Sequence, residues 1–238
     1  MENRVCVVNV TKEFDQKNIL SHVSFEAKEG EIIGILGENG AGKTTFLKLL
    51  CGLLKPEEGE IVIFNQNPWI ARDKVLKEMG ILIDTPIFYE HLTGYENIQI
   101  HLSYMGIEKD INEVLKTVKL FGVEEKVVSK CSLGTKQKLA IARAISHNPK
   151  ILILDEPING LDPVAIQEMR TLFKTLKEQG ITIILASHIL NEVLETVDKI
   201  AILSKGKLHS LQNITQLKAK YGNQLESYLI QQMGGSKR

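Results

Sequence analysis

A glycine-rich turn between an apolar segment and a helical segment constrains this chain more than any other feature. Residues 37–44 read GENGAGKT and fit the pattern G-x-x-x-x-G-K-[ST]. The apolar segment Glu31–Leu36 precedes the turn and a helical pattern over Lys43–Leu50 follows it, which is the setting in which this pattern binds phosphate. Glycines let successive backbone N–H groups point at phosphate oxygens, and the helix N-terminus adds partial positive charge. The sequence therefore predicts a nucleotide phosphate site.

Two side chains of this turn have predicted roles of their own. Lys43 supplies a positive charge to the β- and γ-phosphates, and the Thr44 hydroxyl is a ligand for Mg²⁺. The predicted phosphate-binding residues are Gly37, Glu38, Asn39, Gly40, Ala41, Gly42, Lys43, Thr44 and Thr45.

Two carboxylates follow a second apolar segment, Ile151–Leu154. Ligands of parallel α/β sheets bind beyond the carboxyl ends of the strands, so this pair is expected beside the glycine-rich turn. Asp155 is predicted to hold Mg²⁺, and Glu156 to orient or deprotonate the attacking water. His188 ends the segment Thr182–Ala186 and is predicted to contact the γ-phosphate. The simpler alternatives are a helix cap for the acids and a structural role for the histidine.

Apolar segments alternate with helical patterns, and no repeat of fixed period is present. Strands are predicted over Arg4–Val10, Val23–Ala27, Glu31–Leu36, Ile61–Phe64, Gly80–Ile83, Ile151–Leu154, Thr182–Ala186 and Lys199–Leu203, and helices over Lys43–Leu50, Tyr95–Tyr104, Ile111–Phe121 and Thr135–Ser146. Apolar strands separated by helices predict an α/β fold whose parallel sheet is covered on both faces. The mainly helical stretch 85–148 is interpreted as an insertion between two halves of that sheet.

Composition narrows the class of protein further. The chain has 29 Lys+Arg and 29 Asp+Glu, so it carries no broad positive field for nucleic acid. Its 43% hydrophobic and 24% charged residues are typical of a folded globular domain. No stretch approaches 18 apolar residues, and the first ten residues lack the apolar core of a signal peptide. We therefore expect a cytoplasmic protein that does not bind nucleic acid.

Several further motifs stand in a fixed order around these groups. Residues 132–137, SLGTKQ, resemble a variant of the LSGGQ signature of the ATP-binding cassette (ABC) family, and residues 159–162, NGLD, resemble its D-loop. His188 is similar to the family's switch histidine, and Phe14 occupies the place of the aromatic that stacks on adenine. The resemblance covers nearly the whole chain. On residues alone, SLGTKQ could also be only a helix cap.

The resemblance implies the ABC-ATPase form of the P-loop NTPase fold: a mostly parallel core sheet, an N-terminal antiparallel β part and an inserted helical subdomain. Residues 1–83 and 149–238 would form the RecA-like core with the β part, and residues 84–148 the helical subdomain. It also implies a homodimer or heterodimer with two ATP, each held between one phosphate loop and the partner's signature. The implied signature residues are Ser132, Leu133, Gly134 and Thr135, and Asp162 would join the two sites.

Three positions depart from the family pattern. Leu133 stands where the family usually has glycine, and Thr135 where it usually has glutamine. The family's glutamine between sheet and helical lobe is Asp84 here, which can reach Mg²⁺ or the water but, when ionised, cannot donate a hydrogen bond. These departures bear on turnover and coupling, so Asp84 is kept as a candidate catalytic and metal-binding residue.

The SLG signature and the acid at Asp84 resemble those of bacterial cassettes that serve bacitracin and lantibiotic exporters. This resemblance implies an ATPase subunit that uses ATP and Mg²⁺, lies on the cytoplasmic face of the membrane and contacts it only through a separate permease. Segment 84–105 would form much of the permease-facing surface. The alternatives are a soluble cassette, a regulatory subunit with little turnover, or an exporter of lipid, polysaccharide or drugs.

Overall fold

Two β-sheets and a set of helices make up the computed structural model, which describes residues 3–123 and 125–234. The strands are β1 (Asn3–Phe14), β2 (Lys17–Lys28), β3 (Ile32–Leu36), β4 (Glu58–Ile63), β5 (Met79–Leu82), β6 (Ile151–Asp155), β7 (Thr182–Ser187), β8 (Lys199–Ser204), β9 (Lys207–Leu208) and β10 (Gln212–Asn213). The helices are α1 (Lys43–Leu50), α2 (Arg72–Lys77), α3 (Gly94–Met105), α4 (Ile111–Thr117), α5 (Leu133–Ile145), α6 (Pro163–Glu178), α7 (Leu190–Leu194), α8 (Ile214–Tyr221) and α9 (Leu225–Gln232).

The smaller sheet is antiparallel and has the order β2-β1-β4. Its first two strands confirm the predicted strands near the start of the chain, but both are longer than predicted. The missed residues of β1 begin after Val10, where the register shifts between Val10 and Lys12 and again between Lys12 and Glu13. A bulge of this kind breaks the alternation of apolar and polar residues on which the prediction depended.

The larger sheet has the order β10-β8-β3-β7-β6-β5, with β9 paired to β8. The pairs β8–β3, β3–β7, β7–β6 and β6–β5 are parallel, and the short strands β9 and β10 pair antiparallel with β8. This arrangement confirms the predicted α/β class, with its mostly parallel sheet and N-terminal antiparallel part. Parallel pairing places the C-terminal ends of β3, β5, β6 and β7 along one edge.

Each central strand contributes to two apolar cores. On β3, Ile32 and Leu36 pack into the core that includes the helical stretch, whereas Ile33 and Ile35 pack into the core beneath α1. Successive side chains of a strand point to opposite faces, so a strand that is apolar throughout must be covered on both sides. Phe46 of α1 is fully buried on the second side.

Helices α3, α4 and α5 lie in the chain between β5 and β6, where the helical insertion was predicted. The predicted helix Ile111–Phe121 is too long: α4 ends at Thr117, and Lys119 has φ +52°, outside the helical region. The division of the chain into 1–83 with 149–238 and 84–148 stays a prediction. Within the described residues, no helix has the length and apolar character that crossing a membrane requires.

Two histidines that are distant in sequence meet between α3 and the end of α5. His101 Nε2 lies 3.1 Å from His147 Nδ1, and His147 Nε2 lies 3.0 Å from the Met79 carbonyl oxygen. A carbonyl oxygen only accepts, so His147 Nε2 carries the hydrogen; in the neutral ring Nδ1 then accepts from His101. The contact therefore requires that at least one of the two rings be neutral.

Burial disfavours the charged form of both rings. It lowers the pKa of His101 to about 4, and the positive charges of His147 and Arg143 act in the same direction. Burial also lowers the pKa of His147, with Lys109 adding to this effect and the Met79 hydrogen bond and Glu78 opposing it. Between about pH 6.5 and pH 4 the unfolded chain consequently binds more protons than the folded one.

We expect acid to destabilise the fold through this pair. The stabilisation is complete above the ordinary histidine pKa of 6.5 and is lost as pH falls toward 4. The His101→Gln variant should lose less unfolding free energy than the wild type between pH 7.5 and pH 5, by about 1 kcal/mol after allowance for solvent screening. Urea titrations at the two pH values measure this difference, and equal losses in both proteins would contradict it.

Candidate active site

The glycine-rich turn joins β3 to α1. Gly42 is the residue before the helix and has φ +103°, a conformation that favours glycine, and an added Cβ there would lie 3.1 Å from the Ile19 carbonyl oxygen. The Ala41 N–H donates to the Glu38 carbonyl at 3.2 Å and closes the turn. Helix α1 begins at Lys43, so its N-terminal N–H groups open toward the turn.

Lys43 is buried at the base of this turn. Its Nζ donates to the carbonyl oxygens of Gly37 at 2.8 Å and Glu38 at 3.2 Å. Burial lowers the pKa of Lys43, while the negative charges of Glu156 and Asp155 oppose that shift. The loop that would bind a phosphate thus holds the Lys43 ammonium group in place. The neighbouring acids Glu156 and Asp155 neutralise the charge of this ammonium group only in part.

Thr44 meets the first of the two predicted acids directly. Its Oγ1 donates to Asp155 Oδ2 at 2.6 Å, from the start of α1 to the end of β6. Burial raises the pKa of Asp155; the Thr44 hydrogen bond and Lys43 lower it, and Glu156 and Asp84 raise it further. A hydroxyl beside a carboxylate is a ligand set that Mg²⁺ accepts, and a divalent cation would offset the repulsion among these acids. The residues present therefore fit the magnesium ion.

Glu156 is fixed by contacts from β7 and the residue after it. The Ser187 hydroxyl donates to Glu156 Oε2 at 3.1 Å, and His188 Nδ1 lies 2.8 Å from Oε1. Because an ionised carboxylate only accepts, the histidine nitrogen is the donor. Lys43 Nζ lies 3.8 Å from the same Oε1. The structure thus brings together Lys43, Glu156 and His188, which the sequence predicted as parts of one site.

Asp84 lies just beyond the end of β5. Its Oδ2 accepts from Lys48 Nζ at 2.7 Å, so in this arrangement a lysine of α1 partners the candidate metal ligand. The residue has φ +60°, a conformation in which aspartate is more common than most residues. Asp84 and Asp155 line the same cavity, and their joint binding of one metal ion stays a prediction.

This cavity has a volume of about 670 Å³. Its lining includes Phe14, Lys43, Thr44, Asp84, Leu133 and Glu156. The Lys12 ammonium lies over one face of the Phe14 ring, 5.0 Å from its centroid, and the ring is 43% exposed. The volume and the mixture of one aromatic ring with charged groups suit a nucleotide.

Two residues of the predicted dimer contacts are helix caps within their own chain. The Ser132 hydroxyl accepts from the Thr135 N–H at 3.2 Å at the start of α5, and Asp162 accepts from the Ala165 N–H at 2.9 Å at the start of α6. Leu133 is 62% exposed beside Gly134. Ser132 therefore caps α5, which is compatible with both interpretations of SLGTKQ. Action of Ser132, Leu133, Gly134, Thr135 and Asp162 on a partner's nucleotide stays a prediction.

Sequence reasoning assigned no role to two residues that contact Glu156. Ser187 was noted only as the end of a strand, and Gln137 only as the last letter of the signature-like motif. The Gln137 amide donates to the carbonyl oxygens of Glu156 and Pro157. A buried glutamine on an otherwise apolar helix face is the only local signal for such a contact, and it does not identify the partner.

Substitution of Gly42 tests whether the turn must keep its conformation to bind nucleotide. In the Gly42→Ala variant the new Cβ would lie 3.0 Å from Leu20 Cδ2 and would disfavour the positive φ. We expect the dissociation constant for ATP, measured by fluorescence titration, to rise about tenfold.

Gly106→Ala is the matched control, because Gly106 also has positive φ (+67°) but an added Cβ there meets no atom within 4 Å. It should cost stability without weakening nucleotide binding. Equal ATP affinities in the Gly42→Ala variant and the wild type would show that the turn does not need this conformation.

Comparison with known proteins bears on the same residues. The sequence model of the ABC transporter family matches residues 20–159, more than half of the chain. The bacitracin transport ATP-binding protein BcrA of Bacillus licheniformis is 43% identical over 98% of this chain and 77% of its own length. The lantibiotic transport ATP-binding protein SrtF of Streptococcus pyogenes is 38% identical over 85% of this chain and 87% of its own.

Solved structures agree with the sequence matches. An ATP-binding subunit of an ABC transporter superposes with a TM-score of 0.85 and 27% identity, over 94% of this chain and 98% of that one. The dimeric ATP-binding cassette MJ0796, bound to ADP and Pi, superposes with a TM-score of 0.80 and 28% identity, over 88% and 98%. Taken with the phosphate loop and the acids at the end of β6, these matches place the chain in the ABC transporter family as an ATPase subunit.

Proposed function

We propose that this ATPase energises a separate membrane permease that exports peptide antibiotics of the bacitracin or lantibiotic kind. The observation that carries the proposal is the likeness to BcrA and SrtF, whose names assign them to bacitracin and lantibiotic transport. The role would be export, resistance or self-immunity, on the cytoplasmic face of the membrane.

The geometry supports a mechanism in which water attacks the γ-phosphate of ATP. The phosphate loop and Lys43 bind the phosphates, and Phe14 stacks on the base. Thr44, Asp155 and Asp84 are the residues that would hold Mg²⁺, which when bound withdraws charge from the phosphate oxygens. Glu156 accepts the proton of the attacking water, and His188 and Ser187 keep its carboxylate in one orientation.

A complete site requires a second subunit in this proposal. Helix α5 begins in a cap, Ser132, whose neighbour Leu133 is exposed. A helix N-terminus attracts anions, so the start of α5 is suited to the γ-phosphate of a partner's ATP. ATP would then hold two subunits head to tail, and hydrolysis would release them. The partner is an identical or a related cassette.

A groove on the helical stretch is the surface proposed for the permease. It has a volume of about 390 Å³, and its lining includes Ile87, Phe88, Tyr104 and Arg143. Ile87 is 83% exposed and Tyr104 is 81% exposed, whereas Phe88 lies beneath the Arg143 guanidinium at 4.7 Å. Exposed apolar side chains around the buried Phe88 form a surface that suits an amphipathic helix of a partner.

Other functions of the same ATPase are less well supported. A soluble cassette would not need the exposed groove. A regulatory subunit with little turnover would not need Glu156 and its two side-chain donors. Exporters of lipid, polysaccharide or drugs could use the same site, and the names of the relatives favour peptides over these cargoes.

The Glu156→Gln variant tests the general base. The amide cannot accept a proton, so we expect ATP hydrolysis to fall about 100-fold or more while ATP binding persists. The variant should accumulate as an ATP-bound dimer, which size-exclusion chromatography with ATP and Mg²⁺ detects.

Glu226→Gln, an exposed change of the same chemistry on α9, is the control and should hydrolyse ATP like the wild type. Normal turnover by the Glu156→Gln variant would show that another group is the base.

Coexpression with candidate permeases tests the transport role. A tagged chain should retain one polytopic membrane protein through purification, and bacitracin or a lantibiotic should raise the ATPase rate of that complex about twofold or more. The Tyr104→Ser variant should lose the membrane protein, because the change removes an exposed apolar ring from the groove.

Phe121→Ser is the matched control, because Phe121 is also exposed but does not line the groove. Stimulation by lipid or drugs in place of peptides would reassign the cargo. Capture by both variants alike would move the permease contact elsewhere.

A further inference from the structure

A single buried amide joins the signature helix to the residue proposed as the general base. Gln137 lies on the first turns of α5 and is 6% exposed. Its Nε2 lies 2.9 Å from the Pro157 carbonyl oxygen and 3.3 Å from that of Glu156. An amide nitrogen has two hydrogens, and here each has one carbonyl acceptor.

Glu156 needs to be held in its conformation. Its φ is +47°, in the left-handed region that a residue with a side chain disfavours. Its N–H donates to the Ala186 carbonyl at 2.9 Å, and its own carbonyl accepts from the Asn159 N–H at 3.2 Å as well as from Gln137. Contacts from β7, the following loop and α5 thus fix this backbone together.

Two other contacts join α5 to the residues that follow β6. Leu133 packs on Gly160, where an added Cβ would lie 2.9 Å from Leu133 Cδ2. Lys138 Nζ pairs with Glu168 of α6 at 2.7 Å. Displacement of α5 would therefore displace the Glu156 loop, because three contacts along the helix bear on it and on the helix that follows.

We propose that Gln137 is a positioning residue, which couples the placement of the signature helix to the orientation of Glu156. The inference rests on the proposed function, in which Glu156 is the base and the start of α5 binds the partner's ATP. When the signature engages that ATP, α5 is fixed, and the Gln137 amide fixes the Glu156 backbone with it. Each subunit's base is then set for turnover by the ATP bound across the dimer interface.

Replacement of the amide by a carboxylate tests this contact at constant size. In Gln137→Glu an ionised side chain would offer no hydrogen to two carbonyl oxygens and would repel both. Gln137→Met removes the donors without adding charge. We expect kcat for ATP to fall about tenfold in both variants, while KM stays within about twofold. Gln167→Glu, the same change at an exposed position of α6, should keep the wild-type kcat.

A merely structural role of Gln137 predicts a different result. It would lower ATP affinity and thermal stability together with kcat. The Glu156→Gln background separates the two roles: with the base already removed, Gln137→Met should cost no further turnover and should leave the ATP-bound dimer intact. Loss of that dimer in the double variant, or parallel losses of kcat and ATP affinity in both single variants, would overturn the proposal.

The same assay distinguishes this inference from the function on which it rests. If the wild type hydrolyses ATP and both Gln137 variants keep its kcat, the positioning role alone is overturned. Absence of wild-type turnover, or normal turnover in the Glu156→Gln variant, would overturn the proposed function and the positioning role together.

Discussion

Parallel pairing of β3, β7, β6 and β5 is the constraint on which the rest of the structure depends. Leu36 pairs with Ser187, and Asp155 pairs with Ala186, so strands distant in sequence end at the same edge. The hydrogen bond between Thr44 and Asp155 depends on this pairing, and no local feature of the sequence indicates it. A shift of one residue in this register would turn each strand's side chains to the opposite core. The apolar packing on both faces therefore also fixes the positions of the polar groups at the edge.

Lys43, Asp155 and two further acids lie together at this edge of the sheet, and contacts within the protein do not fully compensate their charges. Burial makes Lys43 easier to deprotonate, and makes Asp155 harder to ionise beside two other acids. Each group is partnered, but the partners are loop carbonyls, a hydroxyl or one another. A bound nucleotide with its cation supplies negative charge to the lysine and positive charge to the acids. Binding should thus stabilise the subunit by more than contact area alone would provide.

Local signals predicted the phosphate loop and its surroundings well. The bounds of α1 match the predicted Lys43–Leu50, because a glycine turn and an apolar strand define its start. Short helices such as α2 and α7 were missed, since five or six residues show little periodicity. The helix was predicted to reach Phe121 because the apolar spacing continues that far, but Lys119 has a positive φ and lies outside the helix.

The residues of the candidate site divide in the same way into those that a local sequence signal indicates and those that it does not. Lys43, Asp155 and Glu156 were predicted because each adjoins a strand or turn that is visible in the sequence. The roles of Asp84 and the signature came from the resemblance to a family. The contacts of Gln137 and the pairing of His101 with His147 were not predicted, because they join segments whose proximity only the three-dimensional packing determines.

The fit of Leu133 against Gly160 has a consequence for exchanging parts between cassettes. Gly160 has φ +76°, which disfavours a side chain, and an added Cβ would lie 2.9 Å from Leu133 Cδ2, a contact that a glycine at position 133 would not make. The two positions form one unit although they belong to different segments. A chimera that received the helical stretch of a distant relative would need residues 156–162 from the same donor, so that the residues at positions 133 and 160 still match.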